Sequence, residues 1–257
     1  MTLRSSIRFC ILALAALCWR PAAAEGLPET IARVKPGVVG IGTVQTTRRP
    51  PVELLATGFV VADGNHVVTN AHAVPDESSG NSVEYLAVLT GEEHGMAYAA
   101  KVVRVDKVHD LALLRFSGHK LPAFRLGTSR HVREGELYAF TGFPLGMILG
   151  MRPVTHRGIV SSITPIAIPQ ITPKLLDPSM IKRLRDPYDV FQLDATAYPG
   201  NSGSPLYDPE TGEVVGVINK VFVKESKEAA LEKPSGITYA IPVRYVEALL
   251  RDAGVAR

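Results

Sequence analysis

The chain has 257 residues, of which 46% are hydrophobic and 21% are charged. This balance is typical of a globular protein with a sizeable core, and it excludes a disordered chain and a collagen-like repeat. The formal net charge of +3 equals the contribution of the three arginines in residues 1–24, so it does not indicate a nucleic-acid partner.

The first 24 residues are typical of a secretory signal peptide. Arg4 and Arg8 precede an apolar run over 9–17, and alanines at 22–24 suit a cleavage site. The run is shorter than the roughly 18 residues of a membrane-spanning helix. An uncleaved anchor is the alternative, because a tryptophan and an arginine precede the cleavage site. We predict a periplasmic or secreted protein with no stable membrane insertion after cleavage.

Both cysteines of the chain, Cys10 and Cys18, lie within this predicted signal. Cleavage near Ala24 would leave no thiol and no disulfide, so that the mature protein would depend on its core for stability. Cleavage would also leave equal numbers of basic and acidic residues. We expect no metal and no other cofactor, and the sequence does not indicate an oligomeric state.

Beyond the signal, a short helix is followed by many short strands. Leu27, Ile31 and Val34 have helical spacing, and Pro36-Gly37 ends the helix. Runs of β-branched and aromatic residues then alternate with turn sequences, and Asp63-Gly64-Asn65 predicts the first hairpin. The predicted strands cover 58–62, 66–69, 85–89, 97–105, 111–116, 136–143, 154–163, 190–194, 204–207, 213–223 and 236–241.

Roughly eleven or twelve strands with almost no helix between them predict an all-β fold, either a sandwich or barrels, and exclude a parallel sheet. After Pro242, apolar residues at 243, 246, 249 and 250 predict a terminal helix that packs on the strands. Residues 75–83 and 164–188 have the composition of surface loops. Both are interpreted as solvated connections, with substrate contact or regulation as the alternative.

The most distinctive motif surrounds Ser202, which follows Gly200-Asn201 and precedes Gly203 just before a predicted strand. Glycines on both sides allow a sharp turn that directs backbone N–H groups into one small space. An acyl-transfer enzyme needs such donors to hold the negative oxygen of a tetrahedral intermediate. Ser202 is therefore a candidate nucleophile, and the N–H groups of Gly200 and Ser202 are a candidate oxyanion hole. The motif by itself would also suit an ordinary β-turn.

A serine nucleophile needs a base, and His72 is the best candidate because it directly follows an apolar strand. The base in turn needs a carboxylate that fixes its tautomer and stabilises the imidazolium. Asp110 directly precedes the apolar strand at 111–114. Asp106 is the competing carboxylate, but its place between two strands favours a turn cap. The residues therefore favour a triad of His72, Asp110 and Ser202.

Four motifs in this order resemble the trypsin-like peptidases of the HtrA/Deg type, namely Thr-Gly-Phe-Val-Val at 57–61, Thr-Asn-Ala-His at 69–72, Asp-Leu-Ala-Leu-Leu at 110–114 and Gly-Asn-Ser-Gly-Ser-Pro-Leu at 200–206. The resemblance implies a protease domain over 25–257, with two perpendicular six-stranded β-barrels and a short helix at each end. The implied first barrel covers about 37–130, the second about 131–242 and the C-terminal helix 243–253.

By this resemblance His72 is the general base, Asp110 its orienting carboxylate and Ser202 the nucleophile. The implied activity is that of a serine endopeptidase that cleaves exported or unfolded polypeptides through an acyl-enzyme. A protease fold retained as a chaperone or binding module is the alternative. An α/β-hydrolase esterase is disfavoured, because residue 204 is serine and the intervening helices are missing.

The chain also departs from the resembled family. Ser204 stands where a second glycine is usual, and Asn201 replaces the aspartate with which digestive relatives bind a new N-terminus. Since few residues follow Val243, we expect a single protease domain without a PDZ domain. We expect no acid in the substrate pocket, and therefore a preference for small or medium apolar side chains. The expected pocket residues are Tyr198, Ile218, Asn219 and Tyr239.

Overall fold

The computed structural model of the chain describes residues 26–75, 84–91, 95–144, 150–166, 185–219 and 236–257. The predicted signal peptide and most of the two predicted loops lie outside these ranges. Within them, no helix has both the length and the apolar character that crossing a membrane requires.

The described ranges form two α-helices, three short 3₁₀ turns and twelve strands. The helices are α1 (Leu27–Val34) and α2 (Arg244–Asp252), and the 3₁₀ turns are Lys35–Gly37, Ala71–Ala73 and Ser129–His131. The first six strands are β1 (Val38–Gln45), β2 (Val52–Val61), β3 (His66–Thr69), β4 (Glu84–Leu89), β5 (Ala97–Asp106) and β6 (Leu111–Phe116). The other six are β7 (Leu137–Gly142), β8 (Val154–Pro165), β9 (Asp189–Asp194), β10 (Pro205–Tyr207), β11 (Val214–Asn219) and β12 (Ile237–Pro242).

The strands close into two antiparallel barrels of six. The first barrel has the order β1-β2-β3-β6-β5-β4, and the second has the order β10-β11-β12-β9-β8-β7. Closure gives every strand two neighbours, so that no long edge is left unpaired. The prediction of an all-β fold with two six-stranded barrels and short terminal helices is confirmed, and the sandwich alternative is excluded.

Strand β6 is apolar on both faces because each face packs in a different core. Leu114 and Phe116 belong to the core of the first barrel, whereas Leu111 and Leu113 belong to a core that also holds Phe143 of the second half. Because side chains alternate along a strand, one face fills the barrel and the other faces this shared core. The end of β6 at Asp110 therefore lies next to the contact between the barrels.

Helix α2 follows the second barrel but packs against β5 and β6 of the first. Its buried residues Val246, Leu249 and Leu250 lie in the shared core. Their spacing of three and four residues places them on one face of the helix. The prediction of an amphipathic terminal helix that packs back on the strands is confirmed, and the helix connects the two barrels.

Candidate active site

His72 and Asp110 are brought together by the pairing of β3 with β6. His72 lies in the 3₁₀ turn that follows β3, and Asp110 directly precedes β6. In the ladder, Thr69 is opposite Ala112, so His72 and Asp110 lie at the same end of the β3–β6 pair. The Asp110 carbonyl accepts hydrogen bonds from the Ala71 N–H at 3.1 Å and from Asn70 Nδ2 at 3.0 Å. These bonds hold the two connections side by side.

The Asp110 carboxylate contacts His72 at two points. His72 Nδ1 lies 2.7 Å from Oδ2, and the His72 backbone N–H donates to Oδ1 at 2.9 Å. Because a carboxylate only accepts, the ring nitrogen that faces it carries the proton and Nε2 can accept one. Asp110 has a φ of 54°, a left-handed conformation that is uncommon outside glycine. The pair has the geometry of an oriented general base.

Asn219 also contacts the Asp110 carboxylate, and this contact was not predicted from the sequence. It ends β11 of the second barrel, is 2% exposed and donates from Nδ2 to Asp110 Oδ2 at 2.9 Å. Asn219 is 109 residues from Asp110 along the chain, and the only sequence signal is an amide that ends an otherwise apolar strand. Its predicted place in the substrate pocket stays a prediction.

Ser202 lies in a turn held between the two barrels. Its carbonyl accepts from the Thr57 N–H of β2 at 2.9 Å, and the Gly203 N–H donates to the Ile218 carbonyl of β11 at 2.8 Å. Gly203 has a φ of 85°, and a Cβ there would lie 2.1 Å from the Thr57 carbonyl oxygen. Only glycine satisfies both conditions. The turn is therefore fixed by its backbone at the contact of β2 with β11.

Thr57 also supports Gly200 in the same turn. Its hydroxyl donates to the Gly200 carbonyl at 2.7 Å and accepts from the Phe143 N–H at 2.9 Å. Among the hydrogen bonds of the described residues, none joins the Ser202 hydroxyl to the His72 ring, and neither Gly200 nor Ser202 donates its backbone N–H. The structure therefore joins His72 to Asp110 directly and places Ser202 in a separately supported turn.

Of the remaining predicted pocket residues, Ile218 lies in β11, Tyr239 in β12 and Tyr198 in the segment after β9. Ile218 is fully buried in the core of the second barrel, whereas Tyr198 and Tyr239 are partly buried. Tyr239 is opposite Asn219 in the ladder of β12 with β11. The Tyr198 ring centroid is 6.2 Å from that of His156. The role of these residues in substrate binding stays a prediction.

His156 is a partly buried residue of β8. It stacks on Phe140 at a centroid distance of 5.0 Å, and its Nε2 is buried without a hydrogen-bond partner. Burial lowers the pKa of the His156 ring below its ordinary value of 6.5. The ring therefore favours its neutral form in the folded protein.

Asp106, the competing carboxylate, is paired with a different histidine. Its Oδ2 lies 2.5 Å from His109 Nδ1, and its Oδ1 accepts from the backbone N–H groups of Val108 and His109. Burial raises the pKa of the Asp106 carboxyl, but these hydrogen bonds outweigh burial and leave it below the ordinary 3.8. Asp106 caps its turn, as its sequence context predicts. In the part of the chain that the structure covers, no cluster of three or more metal-binding side chains occurs.

The fold and this arrangement define a class of protein, and comparison with known families agrees. The sequence pattern of the trypsin-like peptidase domain matches residues 56–217, a range that contains His72, Asp110 and Ser202. The chain therefore belongs to the trypsin-like peptidase family.

The relatives within that family are serine endoproteases of the HtrA/Deg type. The probable periplasmic DegP-like serine endoprotease of Halomonas elongata is 28% identical over 208 residues, which are 79% of this chain and 36% of that protein. The mitochondrial serine protease HTRA2 of Drosophila willistoni is 30% identical over 201 residues, which are 78% of this chain and 39% of that protein. The predicted likeness to HtrA/Deg-type proteases is confirmed at the level of the family, and the chain spans well under half of either relative.

A solved HtrA-type protease, AlgW with a tripeptide, shares the fold. Its TM-score is 0.63 at 23% sequence identity, and the match covers 89% of this chain and 63% of that one. This likeness supports the two-barrel architecture alone.

Proposed function

We propose that the chain hydrolyses peptide bonds in exported or unfolded polypeptides through His72, Asp110 and Ser202. The observation that carries this proposal is the double contact of the Asp110 carboxylate with the ring and backbone of His72. The Ser202 turn lies at the contact of the two barrels, where the Gly203 N–H bonds to Ile218, next to Asn219 in β11. The Asn219 amide in turn reaches Asp110.

In the proposed reaction, His72 Nε2 accepts the Ser202 hydroxyl proton as the oxygen attacks the peptide carbonyl. The backbone N–H groups of Gly200 and Ser202 hold the negative oxygen of the tetrahedral intermediate. The imidazolium gives its proton to the leaving amine, and the C–N bond breaks to leave the acyl-enzyme. A water molecule then attacks the ester, with His72 again as the base, and restores the free hydroxyl.

Asp110 stabilises the imidazolium that forms in this cycle. Its side chain is 15% exposed, while that of His72 is 47% exposed, so the charge pair lies at the rim of a sheltered site. Attraction between the charges is stronger there than in bulk water. The exposed side of the ring leaves room for substrate.

The substrate pocket and the location of the protein belong to the same proposal. Tyr198, Ile218, Asn219 and Tyr239 would receive a small or medium apolar side chain, since none of these residues is an acid. Relatives named as probable periplasmic endoproteases support export, with residues 1–24 as the cleaved signal.

A peptide-library digest analysed by mass spectrometry tests activity and cleavage preference together. We expect Ser202→Ala to lower turnover by about four to six powers of ten, the range seen when a triad member is removed. A fluorophosphonate probe should label the wild type and not the variant. Equal cleavage by both proteins would refute the mechanism. An unlabelled, inactive wild type that still binds unfolded casein would instead support the chaperone alternative.

A further inference from the structure

A second aspartate–histidine pair adjoins the candidate triad in the chain. His109 directly precedes Asp110, and its Nδ1 lies 2.5 Å from Oδ2 of Asp106 at the end of β5. The His109 backbone N–H also donates to Asp106 Oδ1, at 3.1 Å. Ring and backbone are thus both fixed to one carboxylate, in the same way as His72 is fixed to Asp110.

Two tyrosines from distant parts of the chain complete the surroundings of His109. Its ring stacks on Tyr245 of helix α2 at a centroid distance of 3.9 Å and an interplanar angle of 18°. Its centroid is 4.7 Å from that of Tyr188, just before β9, and the two tyrosine centroids are 5.2 Å apart. Asp106, His109, Tyr188 and Tyr245 are called the His109 clamp.

The clamp contains one charged group, Asp106, and a second charged group, Arg244, lies beside it. Asp106 faces His109 from β5, and the Arg244 guanidinium lies 4.7 Å from the centre of the Tyr245 ring. The Arg244 side chain also donates to the Tyr245 hydroxyl at 3.1 Å. The Tyr245 ring against which His109 lies is therefore itself held in place on helix α2.

The clamp has a mechanical consequence for Asp110. A non-glycine residue with a φ of 54° keeps that conformation only where its surroundings hold it. On the C-terminal side, Asp110 is held by strand β6. On the N-terminal side, the adjacent residue is His109, which the clamp fixes through its ring and backbone. A shift of His109 would rotate Asp110 and move its carboxylate away from His72.

We propose that His109 is a positioning residue of the triad. Held by the clamp, His109 keeps both Asp110 carboxylate oxygens directed at His72. This proposal rests on the proposed function and goes beyond it, because the hydrogen bonds and ring contacts of His109 within the described residues go to Asp106, Tyr188 and Tyr245. The clamp connects helix α2 and the start of β9 to the site through one imidazole. The fold thereby uses its C-terminal helix to hold a catalytic carboxylate in the first barrel.

Steady-state kinetics of His109→Ala test the proposal. We expect kcat to fall about 10- to 100-fold with KM changed less than about threefold, since small misplacements of catalytic groups cost this much while binding is retained. We also expect the acid limb of the kcat/KM profile to move to lower pH, because a displaced carboxylate stabilises the imidazolium less. Active-site titration corrects the rates for unfolded protein.

Two further variants separate positioning from a general loss of packing. His109→Phe keeps a ring against Tyr245 and should recover part of the lost kcat, whereas Asp106→Asn combined with His109→Ala should lose no more than His109→Ala alone. His119→Ala is the matched control, because His119 packs edge-on against Tyr98 at 5.4 Å elsewhere in the first barrel. It should leave kcat and the pH profile unchanged. An acid limb that does not move in His109→Ala would overturn the proposal.

Proton NMR of histidine-labelled protein distinguishes failure of the inference from failure of the proposed function. The low-field Nδ1–H resonance of His72, assigned with His72→Ala, should shift or broaden in His109→Ala and stay in place in His119→Ala. A resonance that is identical in all folded variants would refute positioning by His109, even if the enzyme is active. A shifted resonance in a protein without turnover would support positioning and refute the endopeptidase function.

Discussion

Asp110 is the residue on which the contacts of the candidate site converge. Its carboxylate meets the His72 ring, the His72 backbone and the Asn219 amide, while its carbonyl is held by Asn70 and Ala71. The partners come from both barrels, so the orientation of this single side chain depends on how the barrels pack. A partly buried carboxylate that accepts from several donors has one preferred orientation, which a general base requires of its partner.

Replacement of Asn219 tests the link between the barrels. Asn219→Ala removes a charge-assisted hydrogen bond to Asp110, and we expect kcat to fall about 10- to 100-fold. Asn219→Asp should lose more activity at neutral pH, because it places a second carboxylate against the first. Steady-state kinetics on a peptide substrate measure both. If Asn219→Ala instead changes KM and cleavage preference at constant kcat, the residue acts in the substrate pocket.

Gly142 lies close against Ser204, next to the turn that holds Ser202. A Cβ at Gly142 would lie 2.1 Å from Ser204 Oγ and 2.9 Å from Asn201 Oδ1. We expect Gly142→Ala to lower the free energy of unfolding by about 1–3 kcal/mol and to reduce fluorophosphonate labelling, because the overpacked core displaces the turn.

The double variant Gly142→Ala with Ser204→Gly provides the control for this contact. The Ser204 hydroxyl is buried without a partner, so its removal costs no hydrogen bond, and Ser204→Gly opens the space that the new methyl needs. We expect labelling to recover at least in part, while Ser204→Gly alone stays labelled. If the double variant is labelled as poorly as Gly142→Ala alone, the loss of labelling is caused by other neighbours of Gly142 and not by Ser204.

At the scale of elements, helix α2 is the structural link between the end of the chain and the first barrel. Its apolar face lies in the core shared by both barrels, and its Tyr245 packs on His109. The alternating burial of β6 provides the opposite side of that core. Asp110, the proposed triad carboxylate, therefore lies where a strand, a helix and the second barrel meet.

Truncation of Leu249 tests the contribution of this helix. Leu249 is 2% exposed, and Leu249→Ala should lower the free energy of unfolding by about 2–5 kcal/mol through lost burial and a residual cavity. The exposed Arg251 on the same helix is the matched control, and Arg251→Ala should stay within about 0.5 kcal/mol of wild type. Urea titration followed by far-UV circular dichroism measures the free energy of unfolding of both variants. Equal stability of the two variants would show that α2 does not contribute to the core.

At the scale of the whole molecule, stability should decrease on acidification in two ranges. The lowered pKa of His156 means that, below about pH 6.5, the unfolded chain binds a proton more readily than the folded one, so stability falls with pH. The pKa of Asp106 is also lowered in the folded protein, so stability falls further below the ordinary pKa of 3.8, as the pH passes through the pKa of the folded state.

Substitution of His156 isolates the first of these ranges. His156→Phe replaces the buried ring by one that does not titrate, and we expect its Tm to fall less between pH 7 and pH 5 than that of wild type. The exposed His131 gives the matched control, since His131→Gln should follow the wild-type curve. Thermal melts in buffers of constant ionic strength measure the curves. Parallel curves for wild type and His156→Phe would contradict the assignment.

Local features of this protein were determined by the sequence alone. Alternating apolar runs and turn residues predict strands because a strand needs only its own periodicity to present one face to a core. The glycines around Ser202 and the position of His72 after an apolar strand similarly indicated chemistry from adjacent residues. The order of the motifs then led to the family and, through it, to the two barrels.

Contacts between distant residues were decided only by the tertiary structure. Closed barrels and a sandwich share the same local strand pattern, and only the pairing of each strand with its neighbours distinguishes the two folds. Asp106 and Asp110 both border strands, and the structure separates them by directing one at His109 and the other at His72. The Asn219 amide and the Tyr245 ring reach this region only because β11 and α2 pack against the first barrel. Such contacts depend on chain closure over long separations, which local propensity does not encode.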